Sequence, residues 1–306
     1  MASLRSLRPL LAVGLLLPAA CSPEQRPPSA ILITLDTMRA DALGCYGQEL
    51  RITPSLDVLA SRGVVFENAM TSVPLTLPAH ASALTGLYPP RHTVRINGET
   101  SLPRSAETLA ERAREAGCRT AAFVGASVLD PGFGLDQGFE VYSSVKVGGA
   151  HGHAHGHEGG QRPGTEVIRE AITWLRSLES DEPFFLWIHL FGAHDPYEPD
   201  ELFRAPPGVH PYYGDVAMTD ACVGGLLGWL DEVELIDEVN VLVVGDHGEA
   251  LGQHGEATHG DYVYEPTMRI PLILAGPGIP AGERRTDLVS IVDVAPTWNR
   301  SAPHPC

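Results

Sequence analysis

The sequence has no excess of basic residues, and this limits the kinds of molecule that the protein is expected to bind. Of its 306 residues, 21 are Lys or Arg and 38 are Asp or Glu, which gives a formal net charge of −17 at pH 7. No run of basic residues occurs outside the N-terminus, so we do not expect nucleic acid as a partner. The acidic balance by itself indicates solubility and does not identify a substrate.

Cysteine is scarce as well. The 5 Cys residues show none of the paired spacings that are typical of a metal site. The later four could be free thiols or could form one or two disulfides, and the sequence does not choose between these states: Cys45, Cys118, Cys222 and Cys306.

The apolar run near the N-terminus, residues 9–20, is too short to span a membrane comfortably. Because Arg5 and Arg8 precede it, residues 1–21 resemble an export signal. The run ends in Ala19-Ala20-Cys21, as at a bacterial lipoprotein processing site. We therefore expect an exported protein of the cell envelope, anchored to the membrane by a lipid on Cys21. A periplasmic or secreted protein without a lipid is the alternative.

Apolar strands alternate with helices along most of the remaining chain. Short buried strands are predicted at 30–35, 119–124, 184–190 and 241–244, with helices at 53–63, 105–116, 164–178 and 217–230. A further strand is predicted at 271–275 and a strand-to-helix connection at 287–294. This alternation indicates an α/β fold, a doubly wound and mostly parallel sheet with helices on both faces. Ligands bind such sheets beyond the C-terminal ends of the strands, where Asp36, His194 and Asp246 lie.

The chain divides into a leader, a linker and one large domain. A Pro-rich linker at 22–29 leads into a domain at 30–297, and an atypical tail follows at 298–306. Within the domain, the low-complexity segment 148–160 carries four alternate His residues. These could bind a metal loosely, but a surface loop is the favoured interpretation because nothing there fixes the geometry of ligands.

The most informative stretch is 71–92, TSVPLTLPAHASALTGLYPPRH. It places the hydroxyl of Thr76 just before Pro78, a residue that can open a helix. A helix N-terminus favours negative charge through its free N–H groups and its dipole. A nucleophilic oxygen and the anionic group that it attacks would both be stabilised there.

The frame of residues 76–80 (TLPAH) and 84–86 (LTG) resembles the active-site signature of the sulfatase family, within the alkaline-phosphatase superfamily. The family pattern is C/S-x-P-S-R-x-x-x-L-T-G, in which the Cys or Ser becomes a formylglycine. Thr76 has no route to that aldehyde. The resemblance therefore implies that Thr76 acts directly, as a metal-activated alkoxide that forms a covalent ester. Thr nucleophiles in related branches shift the expected substrate towards phosphate esters.

Two further segments resemble the metal motifs of the family. Asp36 ends the first predicted strand, but the second acid of the motif is Thr37 here, so one carboxylate and one hydroxyl would face the metal. Asp246 and His247 follow the strand at 241–244 and would complete the ligand set. The resemblance implies one divalent ion. Carboxylate and imidazole ligands suit Mn or Zn at least as well as Ca, and the choice among Ca, Mn, Zn and Mg stays open.

The remaining candidates would contact the substrate. His194 resembles the family His that contacts the ester oxygens and protonates the leaving group, and His259 lies where relatives place a Lys or His on the substrate anion. His80 replaces the Arg of the signature as a partner of the substrate, and Asn97 could donate a hydrogen bond to a substrate oxygen.

The resemblance covers about residues 30–296 and implies a metal-dependent hydrolase of sulfate or phosphate esters. It breaks off at 298–306 (WNRSAPHPC), which a C-terminal truncation would explain. One alternative is a transferase that moves a phospho-headgroup onto cell-surface glycans or lipids, which would require an acceptor. The other is an inactive, surface-anchored binding protein, which would bind metal without turnover.

Overall fold

The computed structural model describes residues 27–145 and 160–301. The predicted signal with Cys21, nearly all of the His-rich segment and the last residues of the predicted tail lie outside this range. Among the described residues no helix is long and apolar enough to cross a bilayer. Cys45, Cys118 and Cys222 are free thiols, and Cys306 lies outside the described residues.

Nine strands form one mixed sheet in the described part of the chain, in the order β4-β3-β5-β1-β6-β8-β2-β7, with β9 paired to β2. The pairs among β4, β3, β5, β1 and β6 are parallel, whereas β8 is antiparallel to β6 and to β2. The predicted fold class, a mostly parallel α/β sheet, is confirmed. The strands are β1 (Ala30–Leu35), β2 (Gly63–Met70), β3 (Arg119–Val124), β4 (Val141–Ser143), β5 (Phe184–Leu190), β6 (Asn240–Gly245), β7 (Arg269–Ile270), β8 (Leu272–Ala275) and β9 (Glu283–Ser290).

Helices cover both faces of the sheet, and each face has its own apolar core. Alternate residues of β1 divide between the cores, with Ile31 and Ile33 in one and Leu32 in the other. The first core contains residues of α1, α5 and α6, and the second contains residues of α2, α4 and α8. The helices are α1 (Pro54–Ser61), α2 (Thr76–Thr85), α3 (Pro89–His92), α4 (Leu109–Glu115), α5 (Gly164–Leu175), α6 (Tyr212–Glu232), α7 (Glu265–Met268) and α8 (Val294–Ser301).

The helix α1 begins at Pro54, after Thr53, in agreement with the prediction, but it ends at Ser61, before the predicted limit at residue 63. Thr53 occupies the N-cap position, but its hydroxyl accepts from the Gly44 N–H and makes no capping hydrogen bond. The N-terminal amides of α1 bind Asp220 of α6 instead, with Ser55 N and Leu56 N at 3.0 and 2.8 Å from its two carboxylate oxygens. Gly63 does not stop the helix but begins β2, where a Cβ atom would lie 2.1 Å from the Leu274 carbonyl oxygen of β8.

The end of the described chain packs into the core. Trp298 belongs to α8, is 7% exposed, and its ring centroid lies 5.3 Å from that of Phe185 in β5. The boundary predicted after residue 297 therefore falls inside a helix.

Candidate active site

The paired strands β1 and β6 bring two carboxylates together. Leu35 is opposite Gly245 in the parallel register, so Asp36 and Asp246 follow adjacent strand ends. Both side chains are fully buried. Both oxygens of Asp36 and Oδ2 of Asp246 have no hydrogen-bond partner among the described residues. Buried charges of this kind are paired or bind metals in stable proteins.

His247 completes this cluster, and a hydrogen bond of its ring determines its tautomer. Its Nδ1 lies 3.0 Å from the Gly248 carbonyl oxygen, so Nδ1 carries the proton and Nε2 presents a lone pair. Nε2 lies 3.5 Å from Asp246 Oδ2 and 3.8 Å from Asp36 Oδ1. Ligand atoms of Asp36, Asp246 and His247 all lie within 4.8 Å of one another, a group that could hold a metal ion.

These residues fit a divalent cation. Two metal–ligand bonds of about 2.1 Å that meet at a tetrahedral angle separate their ligand atoms by about 3.4 Å, close to the spacings of the cluster. Burial and the charge of Asp36 raise the pKa of Asp246 well above its usual range. Burial would raise the pKa of Asp36 too, but His189 and the neighbouring imidazoles outweigh it and lower that pKa. A cation would relieve the repulsion between the two carboxylates.

Thr76 faces this cluster from the first turn of α2. The helix begins at Thr76 itself rather than at Pro78, so the hydroxyl sits at the helix N-terminus. Thr76 Oγ1 is buried and lies 3.3 Å from His247 Nε2. The side-chain oxygen of Asn97 accepts from Leu77 N at 2.9 Å. Asn97 thus caps the helix and stands beside Thr76, with its amide nitrogen left for the predicted contact to a substrate oxygen.

His80 does not replace the Arg of the family signature as a cation. It is fully buried, its Nδ1 donates to the Thr76 carbonyl at 2.7 Å, and its Nε2 accepts from the Thr34 hydroxyl at 2.9 Å. Burial lowers the pKa of His80 to about 3, so the imidazole is neutral. With both nitrogens engaged, His80 holds the backbone of Thr76 and offers no atom for the predicted contact to substrate.

Thr37 also differs from its predicted use. Its hydroxyl donates to the Ala193 carbonyl oxygen at 2.6 Å, and its backbone N–H donates to Asp246 Oδ1 at 3.1 Å. Thr37 adopts a φ of 50°, a left-handed conformation that is rare for a β-branched residue. Its position orients Asp246 through the backbone, while its hydroxyl is directed to the loop before His194.

Two further histidines lie next to His247. The ring of His259 is 4.4 Å from that of His247, and the ring of His194 is 5.1 Å from that of His259, measured between centroids. His194 Nδ1 lies 2.6 Å from the Asp195 carbonyl oxygen, so Nδ1 donates and Nε2 is the nitrogen that can take up a proton. The structure thus brings together three of the predicted histidines at one end of the sheet.

Glu249, which was not among the predicted site residues, is fully buried and contacts His259 Nδ1 at 3.2 Å. Burial would lower the pKa of His259, but the hydrogen bond and charge of Glu249 outweigh it and raise that pKa. A cationic His259 is therefore favoured at the edge of the site. The sequence feature that could have indicated this role is the position of Glu249 three residues after Asp246, in DHGE. A single acidic residue at that position does not by itself indicate a contact with a distant His.

The comparisons with known proteins point to one family. A family model described as Sulfatase matches residues 28–302. The arylsulfatase of Clostridium perfringens (strain 13 / Type A) is 26% identical, over 88% of this chain and 74% of its own length. The N-acetylgalactosamine-6-sulfatase of Homo sapiens is 26% identical, over 89% of this chain and 61% of its own. The chain thus spans less than two thirds of several of its relatives.

Solved structures share the fold. A protein bound to its substrate D-glucosamine-2-N,6-O-disulfate superposes with a TM-score of 0.76 at 19% identity, over 91% of this chain and 78% of the other. The phosphonate monoester hydrolase of Agrobacterium radiobacter gives a TM-score of 0.75 at 21% identity, over 90% and 73%. At these identities the likeness concerns the fold alone.

Proposed function

The chain belongs to the sulfatase family, and on that premise we propose that it is a metal-dependent hydrolase of sulfate or phosphate esters with Thr76 as its nucleophile. The observation that carries the proposal is the position of Thr76 Oγ1, 3.3 Å from His247 Nε2 in a cluster of buried potential ligands. A merely structural Thr has no need of such neighbours.

Asp36, Asp246 and His247 would hold the ion. When bound, a divalent cation lowers the pKa of a neighbouring hydroxyl and neutralises negative charge on the ester. Two carboxylates with an imidazole suit Mn or Zn at least as well as Ca. Thr37 was predicted to offer its hydroxyl to the metal, but its proposed role is to orient Asp246 through its backbone N–H.

The protein residues supply the remaining chemistry. The Thr76 oxygen, having released its proton to water, forms a bond to sulfur or phosphorus as the bond to the leaving oxygen breaks. His194 gives a proton to that oxygen and later takes one from the water that frees Thr76. His259, made cationic by Glu249, faces the anionic oxygens, and the amide of Asn97 donates to one of them.

The names of the relatives and the identity of the nucleophile support different esters as the substrate. Several curated relatives are named as sulfatases of sugars, such as the N-acetylgalactosamine-6-sulfatase and an ulvan-active sulfatase of Formosa agariphila, which supports a sulfated glycan as substrate. Thr76, which cannot become formylglycine, supports a phosphate ester. It also supports the second candidate, a phospho-headgroup transferase in which a glycan or lipid hydroxyl replaces water.

Export fits either activity. A lipid-anchored or secreted enzyme would meet glycans outside the cytoplasm, and the leader at 1–21, with Cys21 as lipid acceptor, is proposed on sequence alone. The catalytic domain was predicted to extend over residues 30–297, and the packing of Trp298 on Phe185 supports a limit beyond that boundary.

The test is an assay of the purified chain with Mn, Zn, Mg and Ca added separately. An aryl sulfate, an aryl phosphate monoester and an aryl phosphodiester would be compared, with and without a glycan acceptor. Thr76→Ala should lower turnover by orders of magnitude, whereas Thr76→Ser should retain part of it. Thr85→Ala, which removes another buried hydroxyl of α2, is the matched control and should stay active.

The outcomes separate the candidates. Turnover that survives in Thr76→Ala would refute the Thr nucleophile. Turnover only with an acceptor would favour the transferase. A folded, metal-loaded chain that turns over none of the esters would favour the binding protein.

A further inference from the structure

His189 is a buried side chain at the site that the proposed mechanism does not use. It lies in β5, whose register with β1 places it opposite Thr34. Side chains alternate along a strand, so Asp36, two residues after Thr34, projects on the same side of the sheet as His189. The Nε2 atom of His189 lies 3.3 Å from Asp36 Oδ2, and both side chains are fully buried. Neither atom makes a hydrogen bond in the described ranges 27–145 and 160–301, so each is a buried polar atom whose nearby counterpart is the other.

The other ring nitrogen indicates which atom carries the proton. Gly125 N, which follows β3, donates to the His189 carbonyl oxygen at 3.1 Å and approaches His189 Nδ1 at 3.4 Å. An N–H group facing Nδ1 favours the tautomer in which Nδ1 accepts and Nε2 carries the proton. A Cβ atom at Gly125 would lie 3.2 Å from the His189 carbonyl, so the glycine permits this approach. The protonated Nε2 of His189 then lies 3.3 Å from Asp36 Oδ2.

We propose that His189 is a positioning residue that holds Asp36 in the orientation needed for metal binding. Its Nε2–H would bond to Oδ2 when the ion is bound, so that Asp36 presents Oδ1 to the ion, next to His247 Nε2 at 3.8 Å. The inference rests on the metal site proposed above. Groups that hydrogen-bond to metal ligands fix their orientation, and their loss typically weakens metal binding about 10–100-fold.

A second ion bound by His189 is the competing interpretation. His80, His189 and Asp246 also have potential ligand atoms within 4.8 Å of one another. However, the His80 nitrogen nearest to Asp246, Nδ1 at 3.7 Å, is bonded to the Thr76 carbonyl at 2.7 Å. A carbonyl only accepts, so this nitrogen carries a proton and cannot ligate a metal. His80 thus contributes no ligand, and one ion per chain is expected.

The test measures metal affinity and not activity. The full chain, stripped with EDTA, would be titrated with Zn²⁺ and with Mn²⁺ against a chromophoric chelator, and bound metal would be counted by elemental analysis. His189→Met fills similar space without a donor, whereas His189→Gln can place an amide N–H near the position of Nε2. His92→Gln is the matched control, because His92 is equally buried and hydrogen-bonded, to Ser82 and Val94, away from the cluster.

We expect one ion per chain in every variant. His189→Met should bind it about 10–100-fold more weakly, while His189→Gln recovers most of the affinity and His92→Gln keeps all of it. If His189→Met does not fold, His189→Asn, whose amide is too short to reach Asp36, takes its place.

Three results would overturn the inference. Unchanged affinity in His189→Met, or equal loss in His189→Met and His189→Gln, would refute a positioning hydrogen bond while leaving the metal site intact. Two ions in the wild type and one in His189→Met would make His189 a ligand of a second ion. No metal binding by the wild type would refute the proposed metal site, and this inference with it.

Discussion

Asp246→Asn is expected to stabilise the metal-free protein. In the folded state Asp246 Oδ1 accepts from Thr37 N and His247 N at 3.1 and 2.6 Å, and Oδ2 has no partner in the described part of the chain. Asn keeps the accepting oxygen and puts an amide nitrogen in place of Oδ2. That nitrogen would lie about 3.5 Å from His247 Nε2, whose lone pair can accept its hydrogen bond. Burial and Asp36 disfavour the ionised form of Asp246, so the substitution removes the cost of burying this carboxyl group without losing a hydrogen bond.

The magnitude follows from the cost of burying an ionisable carboxyl group beside Asp36. Replacing buried ion pairs by neutral residues of similar volume is neutral or stabilises proteins by about 1–4 kcal/mol, and we expect a gain in this range for the metal-free protein. Each kcal/mol corresponds to a rise in Tm of about 2–4 °C for a large domain. The order of stability should reverse when the ion is present at about 1,000 times its Kd, because binding then adds about 4.1 kcal/mol to the wild type.

The assay is urea unfolding at neutral pH, in EDTA and again with Mn²⁺. Asp220→Asn is the matched control, because Asp220 is also buried but uses both carboxylate oxygens to accept the Ser55 and Leu56 amides. An amide there turns one acceptor into a donor that faces an N–H group. Asp220→Asn should therefore destabilise by about 1–3 kcal/mol. If Asp246→Asn proved less stable than the wild type in EDTA, burial of the Asp246 carboxyl group would not be a cost to the metal-free protein.

Three further predictions concern other parts of the molecule. Burial raises the pKa of Asp215 from 3.8 to about 7, so stability is lost as the pH rises through that window. Asp215→Asn should flatten the dependence of unfolding free energy on pH, and an unchanged slope would contradict this. Glu249→Gln should lower the pKa of His259, because Glu249 raises it. An NMR titration of the His259 ring measures this change, and an unchanged pKa would mean that another group raises it. Trp298→Ala removes a ring packed on Phe185 and should cost about 3–5 kcal/mol in urea unfolding. A loss near zero would mean that α8 adds little to the core.

The elements that the sequence predicted well are those that local pattern determines. Three strands, β1, β3 and β5, have the predicted limits, because each is a short apolar run that the sheet buries on both faces. The β2 strand was missed, since Gly63 follows a helix directly and was interpreted as its end. Only the approach of the Leu274 carbonyl explains that glycine. The capping of α1 by Asp220, from a helix more than 150 residues away, is equally invisible to a local pattern.

At the site too, local pattern predicted some residues, whereas the roles of others depend on contacts between distant parts of the chain. The positions of Asp36, Asp246 and His247 after strands placed them at one edge of a parallel sheet, and the structure brings them together. His189 lies inside a strand that is buried along its whole length, so no periodicity indicated the face on which it projects. His80 occupies the position of an Arg in the motif, and only its contacts to Thr34 and Thr76 reveal a neutral, fully engaged ring.

The charges around Thr76 bear on the kind of ester that the site accepts. Asp36, Asp246 and Glu249 are acidic, His259 is the cation that Glu249 favours, and burial keeps His80 neutral. With the acids ionised and no metal, these groups carry a net charge of about −2, which would repel any anionic ester. A divalent ion brings the sum close to zero, whereas an Arg in place of His80 would have made it positive. A site that is neutral when loaded suits an ester with one negative charge, such as a sulfate monoester or a phosphodiester, better than a dianionic phosphate monoester. If the aryl phosphate monoester proved the best of the three substrates, another cation would have to contribute, and His194 in its protonated form would be the first to examine.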